Sequence, residues 1–313
     1  MFSEVIDWIL SRRASLGADL RTLDNYISGF ITQNGELKRI SSLMIGKGKR
    51  IRSILYFTLW NNTYRISEEL KFKTIAILEI MHYASILHDD VIDGSKMRRG
   101  EASFVSSHGA QASILLGDFM LIRAVVEFVR LHSQGDIVQR LFFRECSSTA
   151  YGALLEQGLH AGSSLSQYVR CAALKTGAFF KLSCFLGSYL STGDFVYSRK
   201  MAIIGLCVGI IFQVQNDIDC YSHERFEDSE DYLMGRITFP IVILRDYFGF
   251  DMQKLLDRRQ GSYDDIRSAI SSEEFRNAAR LAMRRYLNVA EKLIRIDEAG
   301  FSNQSHQTKP TRW

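Results

Sequence analysis

Only two prolines, Pro240 and Pro310, occur in 313 residues. Proline breaks helix interiors, so a long chain with so few breakers is most simply an all-α protein. Hydrophobic residues make up 46% of it, ample for a packed core. The length allows one large domain or two ordinary ones. No Pro/Gly/Ser-rich linker and no shift in composition marks a boundary, which predicts one domain over 1–298 and a polar, disordered tail over 299–313.

The net charge of +4 is mild, and no basic run of the kind seen in nucleic-acid arms occurs. The five cysteines are odd in number, scattered through apolar stretches and without metal-ligand spacing. Reduced core thiols in a cytoplasmic protein are the expectation. The N-terminus, MFSEVIDWILSRR, carries acids where a signal peptide needs basic and then apolar residues. The longest apolar run, Ala202 to Phe212, is too short for a membrane span.

Apolar periodicity predicts helices over about 3–33, 54–60, 68–93, 109–131, 139–160, 165–191 and 195–221. Shorter helices follow over about 240–247, 252–259, 263–271 and 273–294, and 101–107 reads as a loop.

The segment HDDVIDGSKMRRG, His88 to Gly100, ends one apolar helix in Asp89, Asp90 and Asp93 and follows it with Arg98 and Arg99. Residues four apart stack on one helical face, so Asp89 and Asp93 can converge on shared cations. Hard carboxylate oxygens suit Mg²⁺, which keeps waters and takes phosphate oxygens as further ligands. Arginines bind the same phosphates by charge-assisted hydrogen bonds. Taken alone, the segment is also consistent with a solvated helix end.

The loop IGKGKRIRS, 45–53, opens a helix with two glycines and Lys47, Lys49, Arg50 and Arg52. It is equally an anion site or a basic turn. His82 lies two turns before Asp89 on nearly the same face. Ala84 and Ser85 are small and would leave space along that helix wall. Lys175 and Thr176 interrupt an apolar run, and a buried lysine needs a partner anion, either a core acid such as Asp118 or a phosphate. A second apolar helix ends in FQVQNDIDCYSHE, where Gln213 and Asp217 share a face. Arg236 follows an acidic linker.

With these pieces placed, residues 40–245 resemble the trans-isoprenyl diphosphate synthase (polyprenyl synthetase) family. HDDVIDGSKMRRG matches its first aspartate-rich motif in full. GKGKRIRS is similar to its Gly-Gly-Lys-Arg-x-Arg-Pro motif, with Lys47 and Ser53 departing. LLGDF and KTGAFF also fall on family positions. The resemblance implies an all-α barrel of antiparallel helices around a deep central cavity, usually a homodimer. It implies that Lys49, Arg52, His82 and Arg99 hold isopentenyl diphosphate. Asp89, Asp93 and Asp217 would ligate Mg²⁺, with Asp90 in support. Arg98, Lys175, Thr176, Gln213 and Arg236 would hold an allylic diphosphate. The implied reaction is metal-assisted ionisation and condensation to an all-trans polyprenyl diphosphate of twenty carbons or more.

The second motif departs from the family's Asp-Asp-x-x-Asp. Asn216 replaces the first acid, Cys220 the third, and Asp219 stands one residue out of step. Amide and thiol side chains are poor Mg²⁺ ligands. Three readings follow: a prenyl-chain synthase with a weakened second metal site, a class I terpene synthase-like enzyme using Asn216, Cys220 and Glu224, or a non-catalytic subunit of a prenyl synthase heteromer. The intact first motif and the isopentenyl residues favour the first.

Overall fold

The computed structural model describes residues 2–32, 48–60, 66–98, 100–133, 136–222, 232, 234–251 and 263–298. The described chain is helical, as expected. The helices are α1 (Ser3–Ser11), α2 (Gly17–Thr32), α3 (Ile51–Thr58), α4 (Glu68–Asp93), α5 (Phe104–Leu131), α6 (Asp136–Glu156), α7 (Leu165–Ala172), α8 (Ala178–Thr192), α9 (Phe195–Ser222), α10 (Phe239–Phe248), α11 (Tyr263–Ser271), α12 (Glu273–Ala290) and α13 (Lys292–Glu298). A short antiparallel hairpin, β1 (Met97–Arg98) and β2 (Glu101–Ala102), joins α4 to α5.

Several boundaries differ from the periodicity, among them the helix expected over 165–191, which a π-helical segment divides. The first long helix is two, broken at 12–16. Residues 101–107, expected as a loop, hold β2 and the start of α5. The last long helix divides at Glu291. The helix expected over 252–259 and the tail lie outside the described residues.

Local chemistry explains the termini that matter for the site. Ser67 caps α4 by accepting from Leu70 N–H at 3.2 Å, and Glu68 and Glu69 sit in its first turn. Gly94 stops α4 in the left-handed region, so the chain leaves the helix directly after Asp93. Ser164 and Gln167 form a capping box on α7. A π-helical segment, Ala173–Gly177, then separates α7 from α8. It is held between two glycine contacts. A Cβ on Gly152 of α6 would lie 2.3 Å from Lys175 N, and one on Gly209 of α9 would lie 2.7 Å from Gly177 Cα. These close approaches bring Lys175 between the ends of neighbouring helices.

Two apolar clusters fill the interior, and α8 serves both. Phe180 and Cys184 face a cluster built on α1, α3, α7 and α9–α13. Phe179, Leu182 and Phe185 face one built on α2 and α4–α6. Residues Phe195–Tyr221 of α9 have the length and mean hydropathy (1.7) of a membrane span. That helix packs along α8, α12 and the π segment, and a helix apolar on most faces is what a protein core requires. None of the five cysteines forms a disulfide, and burial pushes the Cys146, Cys171 and Cys184 thiols up to about 12.

His132 closes α5 inside the second cluster. Its Nε2 lies 2.9 Å from Thr74 Oγ1, whose own proton goes to Leu70 O at 2.7 Å, so the imidazole donates here. Burial lowers its pKa from 6.5 to about 4. The folded state therefore resists protonation that the unfolded chain accepts. Stability should be flat with respect to this group above pH 6.5. It should fall by about 1.4 kcal/mol per pH unit as pH drops from 6.5 toward 4. Urea unfolding across this range should show that slope in the wild type and lack it in His132→Phe.

Candidate active site

The end of α4 is an acidic wall on which every carboxylate already meets a protein cation. Asp90 is 2% exposed, and Arg98 of β1 donates to its Oδ1 through Nε at 3.0 Å and through Nη2. Asp90 and Arg98, both expected around metal and diphosphate, here tie the hairpin to the helix. Asp93 is paired with Arg236, which arrives from 143 positions away. Asp89 Oδ1 lies 3.7 Å from Lys175 Nζ, and Glu156 Oε2 holds the same ammonium at 2.5 Å. Burial pushes the Lys175 pKa down, but Asp89 and Glu156 together leave it raised. Arg236 is lowered by burial, with Asp89 pulling back.

The partner of Lys175 was expected to be Asp118 or a phosphate. In the structure it is Glu156, at the end of α6. Asp118 instead sits 3.2 Å from His88 Nε2 on the outer side of α4. Pattern alone pointed to an anion for Lys175 but gave no way to choose among acids, because Glu156 reaches it only through the Gly152 contact.

The basic loop divides by role. Arg50, with φ of 53°, binds Asp24 at 2.7 Å and Glu79 at 3.0 Å, a structural tie between α2, α3 and α4. Lys49 is exposed, its ammonium 5.7 Å from the Phe212 ring. Arg52 lies 4.7 Å over Phe180. Burial lowers Arg52 to about 10 against the pull of Glu79, and its Nε has no hydrogen-bond partner among the described residues. A desolvated guanidinium with an unmatched donor at a helix start suits an anion. Lys47 and Arg99 lie outside the described residues.

His82 and Ser85 are half-buried on the face of α4 that carries Asp89. The Ser85 hydroxyl donates back to His82 O at 2.7 Å, which leaves that stretch of wall apolar. Ala84 is fully buried in the second cluster, so the expectation that it leaves open space fails. It lies one helical step round from Ser85, on the packed side.

The second wall is built differently. Asp217 is 5% exposed. Its Oδ2 accepts from the Tyr168 hydroxyl at 2.6 Å and from Phe239 N–H at 2.9 Å, and its Oδ1 from Gln213 at 2.8 Å. Thr176 donates to the Gln213 carbonyl oxygen at 2.8 Å. Burial, with Asp217 adding to it, raises Tyr168 well above the usual phenol, so its proton stays for that bond. Asp219 accepts from Gln215 at 2.6 Å. Tyr168 carried no signal of this role in the sequence. Glu224 lies outside the described residues.

A family model described as polyprenyl synthetase matches residues 34–272. The chain belongs to the polyprenyl synthetase family. It is 30% identical over 232 residues to decaprenyl-diphosphate synthase of Dictyostelium discoideum, covering 71% of this chain and 49% of that one. It is 27% identical over 207 residues to heptaprenyl diphosphate synthase component 2 of Bacillus subtilis, covering 64% and 58%. The chain thus spans about half the length of these curated relatives. A solved geranylgeranyl pyrophosphate synthase from Lactobacillus brevis shares the fold, with TM-score 0.79 and 23% identity, covering 90% and 91%.

For a divalent metal, the two walls differ in fit. Asp89 and Asp93 supply hard, half-buried oxygens at one helix end, the one-or-two-carboxylate set that Mg²⁺ takes alongside waters and phosphate. Among the described residues no three His, Cys, Asp or Glu side chains converge as a metal group. The second wall offers an amide, a thiol and two carboxylates, of which Asp217 already holds three donors and Asp219 one. The first wall fits; the second does not.

Glu156 keeps Lys175 from collapsing fully onto Asp89. Glu156→Ala should let the ammonium close on Asp89, adding a charge-assisted hydrogen bond of about 1.5–3 kcal/mol that a metal must break. Mn²⁺ titration followed by electron paramagnetic resonance should then show roughly tenfold weaker binding.

Proposed function

We propose that this chain is a prenyltransferase that joins isopentenyl diphosphate to an allylic diphosphate, making an all-trans polyprenyl diphosphate of twenty carbons or more. The observation that carries the reading is the set of cations around one acidic helix end: Lys175, Arg98 and Arg236, each from a different element, on Asp89, Asp90 and Asp93. Acids and bases at that density suit a metal–diphosphate ligand, whose metals take the acids and whose phosphates take the bases.

Asp89 and Asp93 would hold Mg²⁺, which would supply charge stabilisation to the departing diphosphate. Lys175, released from Asp89, would turn to the diphosphate, and Arg236, released from Asp93, would do the same. Thr176 and Gln213 adjoin them. Lys49 and Arg52, with His82, would hold the second diphosphate over Phe180 and Phe212. The apolar wall below Asp89, with the Ser85 hydroxyl turned onto its own helix, would receive the growing chain and keep water from the cation. Five cysteines outside any disulfide suit the cytoplasmic setting of this reading.

A second copy is part of the proposal. Leu115, Phe119, Ile122, Val126 and Val129 on α5 are 36–69% exposed and recur at spacings of four and three. That is a seam for packing against another helix, and Tyr151 and Leu154 on α6 are exposed as well. Phe119→Glu with Ile122→Glu should convert a dimer to a monomer in sedimentation.

A second reading, a subunit working with a partner synthase, is favoured by the filled carboxylate of Asp217. The purified chain with Mg²⁺, labelled isopentenyl diphosphate and farnesyl diphosphate should yield elongated diphosphates. Asp89→Ala should lower turnover at least about a thousandfold. No turnover alone, with activity on adding a partner synthase, would establish the second reading.

A further inference from the structure

Asp217 is the one acid left in place in the second motif, and its surroundings are those of a helix anchor. We infer that Asp217 is a positioning residue for Arg236, and that the Arg236–Asp93 ion pair joins the two acidic helix ends where a metal ligand would otherwise be expected. The inference rests on the proposed diphosphate site only for the identity of the ligand that Arg236 meets.

An ionised carboxylate has about four lone-pair directions. Tyr168 and Phe239 take both on Oδ2, and Gln213 takes one on Oδ1. Only 5% of the residue is exposed. A metal reaching this acid would compete with buried donors that hold both of its oxygens, and any donor displaced is left unsatisfied at a cost. The neighbours Asn216 and Cys220 would not share the metal's charge.

What Asp217 does hold is the start of α10. Phe239 is the first residue of that helix, and its N–H has no partner within the helix. Asp217 supplies the acceptor, and a carboxylate there also meets the positive end of the helix dipole. The Thr238 hydroxyl, one residue earlier, bonds to the buried Tyr221 hydroxyl at 3.1 Å. Arg236 lies three residues before Phe239, too few for it to wander once Phe239 is pinned. From there its guanidinium reaches Asp93 of α4. The acid therefore acts across the site through an arginine, whose length spans a gap that Asp217 itself does not cross.

The test uses the full chain and four variants: Asp217→Asn, Tyr168→Phe, Arg236→Ala and the Asp217→Asn/Arg236→Ala double. Mn²⁺ binding is read by electron paramagnetic resonance, and binding of inorganic pyrophosphate with Mg²⁺ by calorimetry. Mn²⁺ affinity should not fall by more than about twofold in Asp217→Asn and Tyr168→Phe, and should rise to the extent that Arg236 lets go of Asp93. Both should weaken pyrophosphate binding about fivefold or more, and the double variant should bind no worse than Arg236→Ala alone. A tenfold loss of Mn²⁺ affinity in Asp217→Asn, or additive losses in the double variant, would overturn the inference. If Asp217→Asn does not fold, Tyr168→Phe decides: unchanged pyrophosphate binding there overturns it. If the wild type binds neither probe, the proposed function fails instead. The Asp217–Arg236 coupling is then read in thermal unfolding, where additive losses overturn the inference and non-additive ones support it.

Discussion

The structure depends on a balance of charge at one helix end. Asp89, Asp90 and Asp93 lie within a single turn, and their mutual repulsion is relieved because three elements far apart in sequence each bring a cation to them. Arg98 comes from the hairpin, Lys175 from the π segment and Arg236 from the approach to α10. The three are not equivalent. Asp90–Arg98 is a tether whose acid is buried, whereas the partners of Asp89 and Asp93 are groups that a metal and a phosphate could exchange for one another.

Close backbone packing sets the geometry of that exchange. Glycine at 152 lets α6 approach the π segment, and glycine at 209 lets α9 approach it from another side. A π-helical turn changes the direction in which a side chain leaves its helix, and here it delivers Lys175 between Asp89 and Glu156. The ammonium stays charged despite its burial because two carboxylates share it. The second acidic helix end has been put to a different use: Asp217 anchors a helix, and the crossing to the first wall is made by an arginine.

Much of this was legible in the chain. The scarcity of proline and the apolar periods foretold a helical fold, and HDDVIDGSKMRRG with GKGKRIRS and KTGAFF foretold the family. These signals are local: they depend on spacing along one helix or on residue types within a short loop. The same local reasoning misjudged Ala84, which is packed against a neighbouring helix, and it did not see the break at 12–16, where no proline falls and the one glycine, Gly17, opens the next helix.

The sequence by itself determined the all-α class, the acidic end of α4 and the presence of a basic loop, because helical period and side-chain chemistry are properties of adjacent residues. Only the tertiary structure decided which cation meets which acid. Lys175 chose Glu156 over Asp118 because of a glycine contact 23 positions before it. Arg50 became a strut while the Nε of Arg52 has no partner among the described residues. Asp217, which reads as a ligand by its place in a motif, was claimed by a tyrosine 49 positions away and by the first amide of α10. A carboxylate serves whichever donors packing brings to it, and that is set by the meeting of helices, not by the order of residues along one of them.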